Sequence, residues 1–84
     1  MADLTDIRLK KKGQLADLSA RRRTLAAQAD NLLITIISKS DTIADAADLD
    51  TEGMLQAAED LHRICSTIRE TDKTIKKLHD ELHG

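Results

Sequence analysis

The sequence has no proline and no aromatic residue, and its apolar residues recur in heptads along most of its 84 residues. Proline interrupts helices, so its absence permits very long ones. Leu, Ile and Ala at alternating steps of three and four are typical of helices that pack along a narrow seam. One break, at about residues 46–53, divides the pattern in two. The sequence therefore predicts an all-α, coiled-coil-like hairpin of two antiparallel helices.

The second half predicts the more regular helix, over about residues 51–83. Its seam stripe has one polar member, Thr71, and consists of Met54, Ala57, Leu61, Ile64, Ile68, Thr71, Ile75, Leu78 and Leu82. Asp50 is a suitable N-cap, and Glu52 lies in the first turn, where the helix dipole favours a negative charge. This half is therefore expected to present one apolar face and a polar remainder.

The first half predicts a helix over about residues 3–46, with a seam that pairs residues 15–43 with residues 54–82. Arg22 and Lys39 stand at seam positions and are expected to lay their alkyl stems over it. A turn at about residues 47–50 is short enough to make the helices antiparallel neighbours. Folding there aligns Leu82 with Leu15 and leaves the first dozen residues as an unpaired overhang. Gly13, at the start of this overhang, costs about 1 kcal/mol relative to Ala in a helix.

A chain of this length forms at most one domain, predicted over residues 1–84, and buries little surface by itself. The single cysteine, Cys65, excludes an internal disulfide. Oligomerisation is the remaining common source of stability. We therefore predict a four-helix bundle formed by a homodimer, with parallel and antiparallel arrangements both open. One continuous helix in an extended dimer is disfavoured because Asp48, Asp50 and Gly53 weaken helix locally.

Three aliphatic residues, Leu33, Ile34 and Ile37, lie off the seam stripe in a stretch without charges, residues 31–38. We name them the aliphatic patch. Surface apolar residues are common singly, but a clustered β-branched run favours association if it is left bare. The patch is therefore predicted to be an interface, either with a second copy or with a larger protein.

A second candidate surface is the N-terminal arm, defined as Leu4, Ile7 and Leu9. It is interpreted either as a docking arm or as a frayed terminus. The basic cluster that accompanies it consists of Lys10, Lys11, Lys12, Arg21, Arg22 and Arg23. These residues are candidates for contacts with phosphate or an acidic partner. Because they surround the helix and no aromatic residue can stack on bases, nucleic-acid binding is the less favoured interpretation.

Charge is divided along the chain although the net charge is -2. Residues 1–23 carry seven basic and three acidic residues, about +4, whereas residues 24–60 carry one basic and eight acidic residues, about -7. In a hairpin the open end is then basic and the turn end acidic.

Pairs with metal-ligand spacing occur at His79 with His83 and at His62 with Cys65, but two ligands do not make a closed site. No metal or cofactor is therefore expected. Since a two-helix hairpin offers no pocket to organise reactive groups, neither an enzyme nor a small-molecule substrate is expected. The longest apolar run is too short to span a bilayer, and no targeting segment is recognisable, so a cytoplasmic location without membrane contact is predicted.

These features favour a small protein-interaction module that acts by covering or blocking a surface on a larger protein. Adaptors, chaperones and inhibitors, bacterial or phage-encoded ones among them, act in this way. The alternatives are a regulator that binds nucleic acid through the basic open end, and a structural or phage assembly component.

Overall fold

The computed structural model describes residues 4–40 and 45–83. Helix α1 spans Leu4–Lys39, helix α2 spans Thr51–His83, and a 3₁₀ turn at Ala46–Asp48 precedes α2. The two long helices pack side by side along their length, and the molecule measures 67 × 20 × 14 Å. The predicted all-α hairpin is confirmed.

Helix α2 begins at a well-formed N-cap. The backbone N–H of Gly53 donates to Oδ1 of Asp50 at 2.9 Å, and Nζ of Lys39 lies 2.5 Å from Oδ2 of the same carboxylate. Both contacts stabilise the charged form, so the pKa of Asp50 is lowered, first by the hydrogen bond from Lys39 and then by the bond from Gly53. One aspartate therefore caps α2 and ties it to the last residue of α1.

The predicted end of the first helix near residue 46 is wrong, because α1 ends at Lys39. The backbone N–H of Ser40 donates to the carbonyls of Ile36 and Ile37 at 3.0 and 3.2 Å, and its hydroxyl also donates to the carbonyl of Ile36. Serine side chains compete in this way with the backbone bonds of a helix. Ser40 therefore directs both its side chain and its backbone N–H to the carbonyls of the last turn of α1, where the helix ends.

The predicted turn at residues 47–50 begins too late, because Asp45 and Ala46 already lie outside the α-helices. Ala46, which the sequence placed at the end of the first helix, begins the 3₁₀ turn instead, and Asp45 caps it by accepting from the N–H of Ala47 at 3.3 Å. Ile43, the last residue of the predicted seam in the first half, lies outside the described residues.

The earlier end of α1 shifts the pairing of the two helices. Nζ of Lys11 lies 3.0 Å from Oε2 of Glu81, and an Nη of Arg8 donates to the carbonyl of Leu82 at 3.3 Å. The predicted alignment of Leu82 with Leu15 is therefore wrong. The predicted overhang of a dozen residues is wrong as well, because α2 reaches back along α1 as far as Arg8.

The seam between the helices forms a thin core. Its buried apolar residues are Ala29 in α1 and Ala57, Leu78 and Leu82 in α2. Thr71 is buried with them, and its hydroxyl donates to the carbonyl of Thr67 at 2.8 Å. No described side chain is completely enclosed. A layer two helices wide therefore shields one stripe of each helix and leaves the other faces open.

Candidate protein-interaction surface

One broad face of the hairpin is polar along its length. Toward the turn, a shallow groove is lined by Leu32 and Ile64 from the seam and by the polar residues Gln28, Asn31, Asp60, Arg63 and Thr67. Toward the open end, a second groove is lined by Leu18 and Leu78 and by the polar residues Lys11, Gln14, Asp17, Thr74, Lys77 and Glu81. The side chains at the rim of both grooves are suited to remain in water.

The aliphatic patch lies away from this polar face. Leu33 and Ile37 stand on the other side of the seam stripe from the groove residues, and Ile34 points to the back of α1, directly away from α2. The exposed fractions are 45% for Leu33, 63% for Ile34 and 70% for Ile37. The hairpin therefore leaves uncovered the three aliphatic residues that the sequence predicted as an interface.

Leu55 enlarges this apolar surface and was not predicted from the sequence. It is 61% exposed and lies one residue off the α2 stripe, next to Met54. Two ion pairs between the helices, Lys11 with Glu81 and Arg22 with Asp72, set their register. In this register Leu55 of α2 lies level with Ile37 of α1. The sequence shows that Leu55 is an apolar residue next to a stripe position. That it lies near the aliphatic patch follows only from the register of the two helices.

The basic cluster does not form one surface. Lys11 pairs with Glu81, and Nε of Arg22 lies 2.5 Å from Oδ1 of Asp72. The hydrogen bond from Arg22 to Asp72, together with the attraction between the charges, raises the pKa of Arg22. The other four members, Lys10, Lys12, Arg21 and Arg23, are exposed and point in different directions around α1. Two of the six charges are therefore already balanced within the hairpin.

The N-terminal arm is helical and belongs to α1. Leu4, Ile7 and Leu9 are all exposed, although Arg8 between them bonds to the end of α2. The structure thus offers these three apolar side chains at the open end, and their interpretation as a docking arm stays a prediction.

Further sequence features occupy isolated positions. The rings of His79 and His83 lie 4.4 Å apart, and within residues 4–40 and 45–83 no three His, Cys, Asp or Glu side chains are grouped as metal ligands. Cys65 is half-buried beside the seam. In the described parts of the chain, neither helix has a stretch both long and apolar enough to cross a bilayer.

The geometry therefore offers one polar broad face, an apolar surface of α1 near the turn, and a divided set of basic residues. No family model matches this sequence, no curated protein is significantly similar to it, and no solved structure significantly resembles the hairpin.

Proposed function

We propose that this chain is a small helical protein-interaction module that acts by covering a surface on another protein chain. The observation that supports this function is the aliphatic patch, Leu33, Ile34 and Ile37, which the hairpin holds in helical order but does not cover. Adaptors, chaperones and inhibitors act in this way, by binding to and covering a surface of another protein, without any chemical step.

The apolar area that the hairpin leaves in water is a source of binding free energy. Full burial of a Leu or Ile side chain is worth about 1.5–3 kcal/mol relative to exposure. The three patch residues and Leu55 are between 45% and 70% exposed, so a large part of this free energy is still available for binding. Because α1 is already folded, a partner does not have to order it on docking.

A matched pair of variants tests the proposal. Leu33→Asp with Ile37→Asp places two charges in the patch, whereas Thr24→Asp with Asn31→Asp places two carboxylates on the polar side of the same helix. Circular dichroism should show similar helicity in both. The immobilised wild type and the control are expected to retain the same protein, this chain or another, from a lysate of the source cell, and the patch variant is expected to lose it. Equal retention by all three would contradict the proposal.

Nucleic-acid binding and an open structural assembly stay alternatives with less support. The first requires several basic residues on one face, and Lys11 and Arg22 are engaged by Glu81 and Asp72. Its test is a mobility shift with DNA or RNA over a salt series, using wild type and a variant with all six basic-cluster residues changed to Gln. A shift that weakens steeply with salt and disappears in the variant would favour nucleic-acid binding over the function proposed above.

A further inference from the structure

Helix α1 carries a second heptad stripe on the side away from α2. We name this stripe the outer flank. It has eight positions at alternating steps of three and four, which are Gly13, Ala16, Ala20, Arg23, Ala27, Asp30, Ile34 and Ile37. All eight are exposed, and six are apolar or lack a polar side chain. A helix with apolar stripes on two sides is typical of an inner helix with a neighbour on each side. In the hairpin, α2 supplies only one of these neighbours.

The side chains of the outer flank are small in its N-terminal half and large near its C-terminal end. Its first half has the small residues Gly13, Ala16 and Ala20, and its second half has the large residues Ile34 and Ile37. A second α1 running antiparallel places the large residues of one copy against the small residues of the other. In a parallel arrangement large residues meet large ones and small residues meet small ones, which leaves gaps at one end.

The charges of the flank fit the same arrangement. Arg23 and Asp30 form no ion pair among the described residues. In the antiparallel register that sets Ala16 against Ile34, Arg23 and the Asp30 of the other copy are three residues apart along the axis, or about 4.5 Å. Side chains on a helix tilt toward its N-terminus, so these two tilt toward each other. The two-fold axis repeats the pair.

The elongated shape of the hairpin, 67 × 20 × 14 Å, leaves more surface exposed than a compact protein of the same mass has. An isolated folded protein of 9.3 kDa is expected to expose about 5,000 Å². This chain exposes 6540 Å². The excess, roughly 1,500 Å², lies within the range that each chain of an obligate homodimer buries.

We propose that a second copy of this chain docks antiparallel along the outer flank of α1, so that two α1 helices form the centre of a four-helix dimer. Two ion pairs between Arg23 and Asp30 fix the direction and the register. The inference rests on the proposed function and names the partner chain. Because the dimer covers Ile34 and Ile37, any larger protein that binds the aliphatic patch competes with the second copy.

The test is a charge exchange followed by light scattering over a concentration series. Arg23→Asp sets carboxylate against carboxylate in the dimer, and Asp30→Arg sets guanidinium against guanidinium. Each is expected to weaken dimerisation by about tenfold at each of the two symmetric sites. An equimolar mixture of the two variants restores both ion pairs and should recover the mass of two chains. Arg69→Asp on α2 makes the same charge change away from the flank and should dimerise like the wild type.

Direction is tested separately by cross-linking in a Cys65→Ser background. In the proposed register, a mixture of the Ala16→Cys and Ile34→Cys chains forms a disulfide between unlike chains, and Ala16→Cys alone forms none with itself. Self-linking of Ala16→Cys would indicate a parallel dimer and overturn the arrangement. Circular dichroism confirms that each variant is folded.

Two further outcomes would also overturn the inference. A dimer that both charge variants leave intact would place the interface elsewhere on the hairpin. A wild-type chain with the mass of one copy at every concentration would exclude a second copy as the partner. In that last case the proposed function still stands if the aliphatic patch retains a different protein, so failure of the two proposals can be told apart.

Discussion

Helices α1 and α2 are similar in length, 36 and 33 residues, but they place their apolar residues differently. In α2 most of these residues follow one stripe, with Leu55 exposed beside it, and four α2 residues are buried, namely Ala57, Thr71, Leu78 and Leu82. In α1 they surround much of the helix, and Ala29 alone is buried among its described residues. Helix α2 therefore packs most of its apolar side chains inside the hairpin, whereas α1 retains a larger apolar surface for a further neighbour.

The greatest difference in stability between changes in the two helices is expected at Leu78. Leu78→Ala removes a side chain buried in the seam and should lower the free energy of unfolding by about 2–5 kcal/mol. The matched change Ile34→Ala, on the outer flank of α1, should change it by at most about 0.5 kcal/mol. Urea denaturation checks both at a concentration where light scattering gives the mass of one chain. Similar losses in the two variants would show that α1 and α2 do not differ as described.

A smaller effect is expected at the one glycine that each helix contains in its described range. A Cβ at Gly13 of α1 would meet no atom within 4 Å, so Gly13→Ala should stabilise the chain by about 1 kcal/mol through helix propensity. A Cβ at Gly53 of α2 would lie 2.3 Å from Oδ2 of Asp50 and displace the capping carboxylate. Gly53→Ala should therefore gain less. Thermal unfolding at low concentration measures which substitution stabilises the chain more. A larger gain in stability from Gly53→Ala would show that the helix cap does not depend on the close approach of Gly53 to Asp50.

The smallest effect concerns the link between the helices at Asp50. Its pKa lies below the ordinary 3.8 in the folded chain, because Lys39 and the N–H of Gly53 stabilise the carboxylate. A lowered folded pKa stabilises the fold above the unfolded pKa, and this contribution is lost as the pH falls below 3.8 and through the folded value. Asp50→Asn keeps a capping oxygen but does not titrate, so its melting temperature should fall less than that of the wild type between pH 6 and pH 3. If the melting temperatures of the two proteins fell equally with pH, the Asp50 carboxylate would have no part in the pH dependence of stability.

Much of the fold could be predicted from periodicity and capping. The α2 stripe and the Asp50 cap are local patterns, and the structure shows both. The end of α1 was predicted too late because heptad positions continue past Lys39, whereas the side chain of Ser40 bonds to the backbone carbonyl of Ile36 and the helix ends there. That error moved the predicted alignment of Leu82 to Leu15 and produced an overhang longer than the structure has, because Arg8 already contacts the end of α2.

The candidate surface was predictable in part. Leu33, Ile34 and Ile37 stand out because they are apolar residues off the stripe in a charge-free stretch, and they are exposed in the structure. Leu55 could not be grouped with them from the sequence, because its position relative to Ile37 depends on how α2 is aligned with α1. The basic cluster was predicted as a set of six, but only the packed helices show that Lys11 and Arg22 face carboxylates.

The residue pattern along the chain is enough to predict two long helices, the residues that line their seam, and an α1 with more apolar surface than one partner helix can cover. These properties follow from local propensity and from a period of about three and a half residues, both of which are written along the chain. The alignment of the two helices became visible only in the folded structure. The folded structure also decided which charges are paired and which apolar residues share the uncovered surface. These properties depend on contacts between residues far apart in the sequence, and a shift of a few residues in the connection changes all of them.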